Sequence, residues 1–222
     1  MLHLMLLGLL LPAGADAGPE IADMHATYGH LGAVRPKGAG LVPGDVAAFT
    51  FSIKNLTFDK HGKAAYSVAI EVRDAKGKLL YEQKPFNSVA QSLFGGTSLP
   101  CSATIAVPLD AAPGPVSWKI TVKDRSADKS AVTKGEGNIQ APKFGIVRVG
   151  TYADPEAKVP VAPLGVVGST LYLDFAVAHF ARDAMKKPDV KVELRILDDK
   201  GQPTTAEPMA GRIRDDIPPD AR

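Results

Sequence analysis

Shifted by 124 residues, the chain matches itself without a gap: Thr27-Tyr28 meets Thr151-Tyr152, Val42 and Gly44 meet Val166 and Gly168, and Phe51 meets Phe175. The register holds farther on, where Asp59 meets Asp183, and Asp74, Lys76 and Gly77 meet Asp198, Lys200 and Gly201. A constant offset with apolar positions conserved in type means two copies of one structural unit, so the fold need be read only once. The boundary falls near Gln140-Ala141-Pro142-Lys143, which gives a first copy over 18–142 and a second over 143–222. On this alignment Arg222 corresponds to Ser98, so the second copy is expected to lack the equivalents of residues 99–142. It therefore reads as a sandwich incomplete at its C-terminus, either part of a longer protein or completed by a partner.

Within each copy the hydrophobic period is two. Phe49, Phe51 and Ile53 alternate with Thr50, Ser52 and Lys54, and the second copy repeats this with Leu171, Leu173, Phe175 and Val177. Val68, Ile70 and Val72 alternate in the same way, as do Val192, Leu194 and Ile196. Such alternation puts large apolar groups on one sheet face and polar groups on the other. Asp74-Ala75-Lys76-Gly77 and Asp198-Asp199-Lys200-Gly201 read as hairpin turns with glycine where a positive φ is needed. The next strand starts near Leu79; Ala103, Ile105, Val107 and Leu109 form another, and Val116, Trp118, Ile120 and Val122 a further one with Trp118 between the sheets. A turn at Asp124 to Lys129 leads to a short closing strand, and Asn87 to Ser98 is expected to be a polar loop. Roughly seven short strands per copy, without a credible helix, predict an antiparallel two-sheet sandwich. The fold class expected is all-β, with two sandwiches in tandem.

The stretch Leu109-Asp110, Pro113-Gly114 and Trp118-Lys119-Ile120-Thr121-Val122-Lys123-Asp124 resembles the penultimate strand of immunoglobulin-like or fibronectin-III-like modules of exported bacterial proteins, where an aromatic follows a Pro-Gly turn. The resemblance implies immunoglobulin-like sandwiches in both copies. It departs from antibody-type domains in having no cysteine pair and in placing its tryptophan on a late strand. A sandwich hosts many functions, so the likeness bears on architecture more than on activity.

Export is expected from the start of the chain. Residues 2–11 form an apolar run too short to span a bilayer, which takes about 20 helical residues. Ala15 and Ala17 follow as the small-x-small pattern of a signal peptidase site, so residues 1–17 read as a signal peptide cleaved after Ala17, although only His3 and the amino terminus supply positive charge before the run. No later segment approaches transmembrane length. Cys101 is the single cysteine, which excludes an intrachain disulfide and reads as a small apolar filler. Lysine and arginine total 26 against 24 acidic residues, and with no basic stripe nucleic acid is not an expected partner.

Candidate chemistry is sparse. His25 and His30 lie five apart in an apparently extended stretch, which points them to opposite faces and makes them poor joint metal ligands, while His61 and His179 stand alone as surface histidines. Asp124-Arg125-Ser126-Ala127-Asp128 spaces oxygen ligands as the start of a calcium loop does, but lacks its glycine and distal glutamate and reads as a polar hairpin tip. Asn55-Leu56-Thr57 matches the glycan-acceptor pattern and reads as a chance match. No nucleophile elbow, phosphate-binding glycine loop or zinc-protease helix occurs. No catalytic, cofactor or metal residue is therefore nominated. The expectation is a non-catalytic exported binding or structural module, periplasmic, cell-surface or extracellular, whose partner is a protein or a glycan. The alternatives are an accessory sandwich region of a longer secreted enzyme or surface protein, and a periplasmic assembly chaperone, whose exposed apolar strand and basic anchor pair are not both found in the first copy.

Overall fold

A computed structural model describes residues 18–92, 96–165, 168–185 and 187–214. The expected signal segment and the last eight residues lie outside them. The described residues are all-β, with no helix, and every strand pairing is antiparallel. No helix there is long and apolar enough to cross a membrane.

The first copy contains β1 (Glu20–Tyr28), β2 (Val46–Lys54), β3 (Lys63–Asp74), β4 (Leu79–Gln91), β5 (Leu99–Ala106), β6 (Gly114–Asp124) and β7 (Lys129–Ile139). They form a three-stranded sheet in the order β1-β2-β5 and a four-stranded sheet in the order β4-β3-β6-β7. One apolar core joins the two sheets: Phe49, Phe51, Ile53 and Ile105 from the first meet Val68, Ile70, Val72, Val116, Ile120 and Val122 from the second. These are the residues the period of two assigns to the inner faces.

Trp118 is only partly buried, packed on the core margin with its ring centroid 4.9 Å from that of Phe49. It lies over Gly135 of the neighbouring strand, where a Cβ would fall 2.1 Å from the indole Cζ2. Three local expectations change. Residues 87–91 continue β4 and are not loop, because β4 is an edge strand and its polar residues face water there. The closing strand β7 is a full 11 residues. Val107 and Leu109 lie beyond β5, although Val107 still belongs to the core.

The second copy contributes β8 (Gly145–Tyr152), β9 (Tyr172–Ala178), β10 (Val190–Leu194) and β11 (Met209–Ile213), paired as two hairpins, β8-β9 and β10-β11. The repeat survives in backbone detail. Gly44 and Gly168 have φ of 89° and 85°, Gly77 and Gly201 have 79° and 75°, and the non-glycine pair Asn55 and His179 have 61° and 57°. The aspartates repeat as well: Asp59 Oδ1 accepts the N–H groups of His61 and Lys63 at 2.8 and 2.9 Å, and Asp183 Oδ1 accepts those of Met185 and Lys187 at 2.9 and 2.8 Å. Asp74 and Asp198 organise their turns in the same way, each accepting from the residues two and four positions on. A short acceptor that satisfies its own loop's donors explains why aspartate stands at all four positions.

Candidate functional site

The outer face of the β1-β2-β5 sheet carries the residues that the core-facing alternation leaves over. Thr50 lies opposite His25 of β1 and opposite Ser102 of β5, so a row of polar side chains crosses the sheet. Past the end of β1, Gly29 turns the chain at a φ of 75°, and His30 comes back over the sheet with Nδ1 2.9 Å from Ser102 Oγ. His25 and His30 therefore share a face instead of pointing apart, because the strand ends at Tyr28 and its alternation no longer governs residue 30.

The opposite wall comes from the second copy. After β8, Asp154 accepts the backbone N–H of Lys158 at 3.1 Å and that of Val159 at 2.6 Å, which closes a loop presenting Ala157, Lys158 and Pro160. Those two donors, Lys158 first, hold the Asp154 carboxyl below the usual carboxylate range. Thr151 Oγ1 donates to the Val161 carbonyl at 2.5 Å and pins the loop's far end. The Tyr152 ring folds over Gly150, where a Cβ would lie 2.7 Å from the phenol oxygen. Between the walls is a cleft of about 750 Å³ lined by Asp23, His30, Thr50, Ser52, Ser102, Tyr152 and Lys158, among others.

A buried ion pair holds the loop that follows His30. Arg35 donates to both carboxylate oxygens of Asp45 at 2.8 and 2.9 Å, to the Thr27 carbonyl and to the Val46 carbonyl, while its guanidinium sits 4.4 Å from the Tyr28 ring centroid. The loop from residue 29 to 45 is thereby tied to the end of the sheet where β1 stops and β2 begins. His179, expected at the surface, instead makes a 3.0 Å hydrogen bond to the Pro43 carbonyl across the two copies.

The geometry limits what the cleft can do. Ser102 and His30 can exchange a proton, but a serine nucleophile also needs a third group orienting the imidazole. Among the described residues, His30 makes no side-chain hydrogen bond except that to Ser102. Cys101 lies on the core side of β5, and burial pushes its thiol up, away from thiolate reactivity at neutral pH. Asp124 is buried at the β6-β7 hairpin, where it accepts the N–H groups of Thr57, Ser126 and Ala127. Its oxygens are thus occupied by backbone donors. Among the described residues no three His, Cys, Asp or Glu side chains gather as metal ligands.

Neither Arg35 with Asp45 nor His30 with Ser102 was foreseeable from spacing. One signal existed for the former: at the repeat positions of this charged pair stand Val159 and Ser169, so the charges belong to the first copy alone.

No family model matches the chain, and no curated protein matches it. Among solved structures, the C-terminal domain of Wzt aligns at a TM-score of 0.37 and 11% identity, over 56% of this chain and 75% of that one. A CARDB domain from Pyrococcus furiosus aligns at 0.32 and 12% identity, over 57% and 96%. Spo0M, a sporulation control protein from Bacillus subtilis, aligns at 0.31 and 9% identity, over 89% and 91%. Likeness this low identifies no family and assigns no activity.

Proposed function

We propose that the chain is a non-catalytic, exported binding module built from two immunoglobulin-like sandwich copies, and that the cleft between the copies holds a glycan. The observation that carries this reading is the composition of the cleft walls. Thr50, Ser52, Ser102 and His30 line one side together with the apolar Leu31, Phe51 and Pro100, and Tyr152 and Lys158 line the other. A sugar presents hydroxyls at its rim and apolar C–H groups on its faces, which suits a cleft that mixes short hydroxyls with apolar side chains and an aromatic ring. Two walls supplied by two copies also explain how a duplicated sandwich gains a concave site that one copy lacks.

Binding of the full chain to an array of oligosaccharides tests this. A glycan ligand is expected, weakened about tenfold or more by Tyr152→Ala and by His30→Ala. Absence of any glycan ligand, or turnover of a bound glycan or an activated ester that Ser102→Ala abolishes, overturns the reading. Export is tested by the intact mass of the secreted protein, which should begin at Gly18.

A protein partner is the second reading, favoured by the apolar strand edges of the second copy.

A further inference from the structure

We infer that the glycan taken up by this cleft is anionic, and that Lys158 seats its carboxylate or sulfate group. The inference rests on the glycan reading above and narrows it to one ligand class. Besides His30, two charged side chains line the cleft, Asp23 on the first copy's wall and Lys158 on the second's. A β-bulge between Ala22 and His25 brings Asp23 there at a φ of 54°. Lys54 Nζ stands 3.4 Å from Asp23 Oδ2, so this carboxylate already has its counter-charge. Lys158 has none: among the described residues no acidic side chain pairs with its ammonium. Asp154 of the same loop spends its oxygens on the backbone N–H groups of Lys158 and Val159, and Glu156 is not among the cleft's lining residues. The cleft is left with one ammonium in excess.

The repeat shows this charge placed differently in the two copies. In the first copy the loop reads Val34-Arg35-Pro36, and Asp45 answers the Arg35 cation inside the protein at 2.8 Å. In the second it reads Lys158-Val159-Pro160, so the cation stands one position earlier, and the repeat of Asp45 is Ser169. The second copy therefore keeps a cation in this loop without the buried acid, at a position that lines the cleft. The loop is also clamped. The Ala153 N–H donates to the Val159 carbonyl and the Val161 N–H to the Thr151 carbonyl, both at 2.9 Å, and Tyr152 forms a bridge with Pro160. A cation carried on a clamped loop gives up little backbone freedom when it engages a ligand, so more of a charge-assisted hydrogen bond appears as affinity. An ammonium is a point charge with three donors and needs no planar partner, so it serves a carboxylate and a sulfate alike. Thr50, Ser52 and Ser102 across the cleft remain for the sugar's hydroxyls.

The test is an oligosaccharide array in which each uronic-acid or sulfated member stands beside its neutral counterpart, carboxyl-reduced or desulfated. It is probed with the full chain and with Lys158→Met, which keeps the backbone N–H that Asp154 accepts. Acidic members are expected to bind about tenfold or more tightly than their neutral counterparts, and Lys158→Met to remove that difference while leaving neutral binding unchanged. Lys158→Arg is expected to retain it, and salt of about 1 M, which screens charges beyond roughly 3 Å, to narrow it. A preference confined to the uronic members identifies the anion as a carboxylate, and one confined to the sulfated members identifies it as a sulfate. Neutral members that bind as tightly as acidic ones, or an acidic preference that survives Lys158→Met, overturn this inference and leave the glycan reading standing. Binding by no member, or equal binding of a poly-glutamate peptide, overturns the glycan reading and this inference with it.

Discussion

Gly135 and Trp118 should be strongly coupled, because one exists to make room for the other. The two are directly opposite on β7 and β6, and a Cβ at position 135 would fall 2.1, 2.6 and 2.8 Å from three indole atoms. The ring cannot slide away freely, since Phe49 of the facing sheet stands 4.9 Å from its centroid. Gly135→Ala should therefore destabilise the protein by about 1 to 3 kcal/mol through overpacking. Trp118→Ala should cost about 2 to 3 kcal/mol, less than the roughly 3 to 5 of a fully buried tryptophan, because the side chain is only partly buried. With the indole removed, the clash goes with it. Alanine then holds a strand better than glycine by about 0.5 to 1 kcal/mol, so Gly135→Ala should become stabilising in the Trp118→Ala background. The sign reversal corresponds to a coupling of about 1.5 to 4 kcal/mol. Urea unfolding of the four proteins, followed by far-ultraviolet circular dichroism because the only tryptophan is lost in two of them, measures it. Effects that add to within about 0.5 kcal/mol would refute the account of why glycine stands at 135.

Two further outcomes follow from buried charge. Burial raises the Asp124 carboxyl, but the N–H groups of Thr57, Ala127 and Ser126 outweigh burial and hold it below 3.8. Its contribution is therefore present above that pH and lost as pH falls through the folded-state value; Asp124→Asn should cost about 1 to 3 kcal/mol at neutral pH, and the gap in urea midpoint from the parent should close on acidification below 3.8. A pH-independent gap would assign the effect to packing. Arg35→Leu, which strands Asp45 in a buried site, should cost about 3 to 5 kcal/mol, and adding Asp45→Leu should restore much of it, because both charges then leave the interior together. Thermal melting of the single and double variants decides this, and a double variant no better than the single would show that the pair is needed as such.

The inner faces of the first copy were legible because alternation is enforced by burial on one side, and a one-residue slip would turn Phe49, Phe51 and Ile53 to water. The hairpin at Gly77 was legible because positive φ there leaves few residue choices. The end of β4 was not. Residues 87–91 sit on an edge strand, where the same polar composition suits a solvated strand and a loop, and only the pairing partner distinguishes them. The cleft was hidden for another reason: His30 meets Ser102 across 72 residues of chain through a turn at Gly29, and no period links them.

The two copies separate what local sequence determines from what neighbouring strands determine. Where a residue's conformation depends on its own loop, the copies agree: Asn55 and His179 share a left-handed φ although their side chains differ, and each aspartate loop repeats its donors and acceptors. Left-handed backbone is costly for any residue but glycine, by about 1 to 2 kcal/mol, so its recurrence with two different side chains means the turn geometry, not the side chain, is what the repeat preserves. Where a residue's burial depends on β5 and β6, the copies diverge, and Ile196 faces water where Val72 does not. Apolar character has been kept at positions that the described strands leave open.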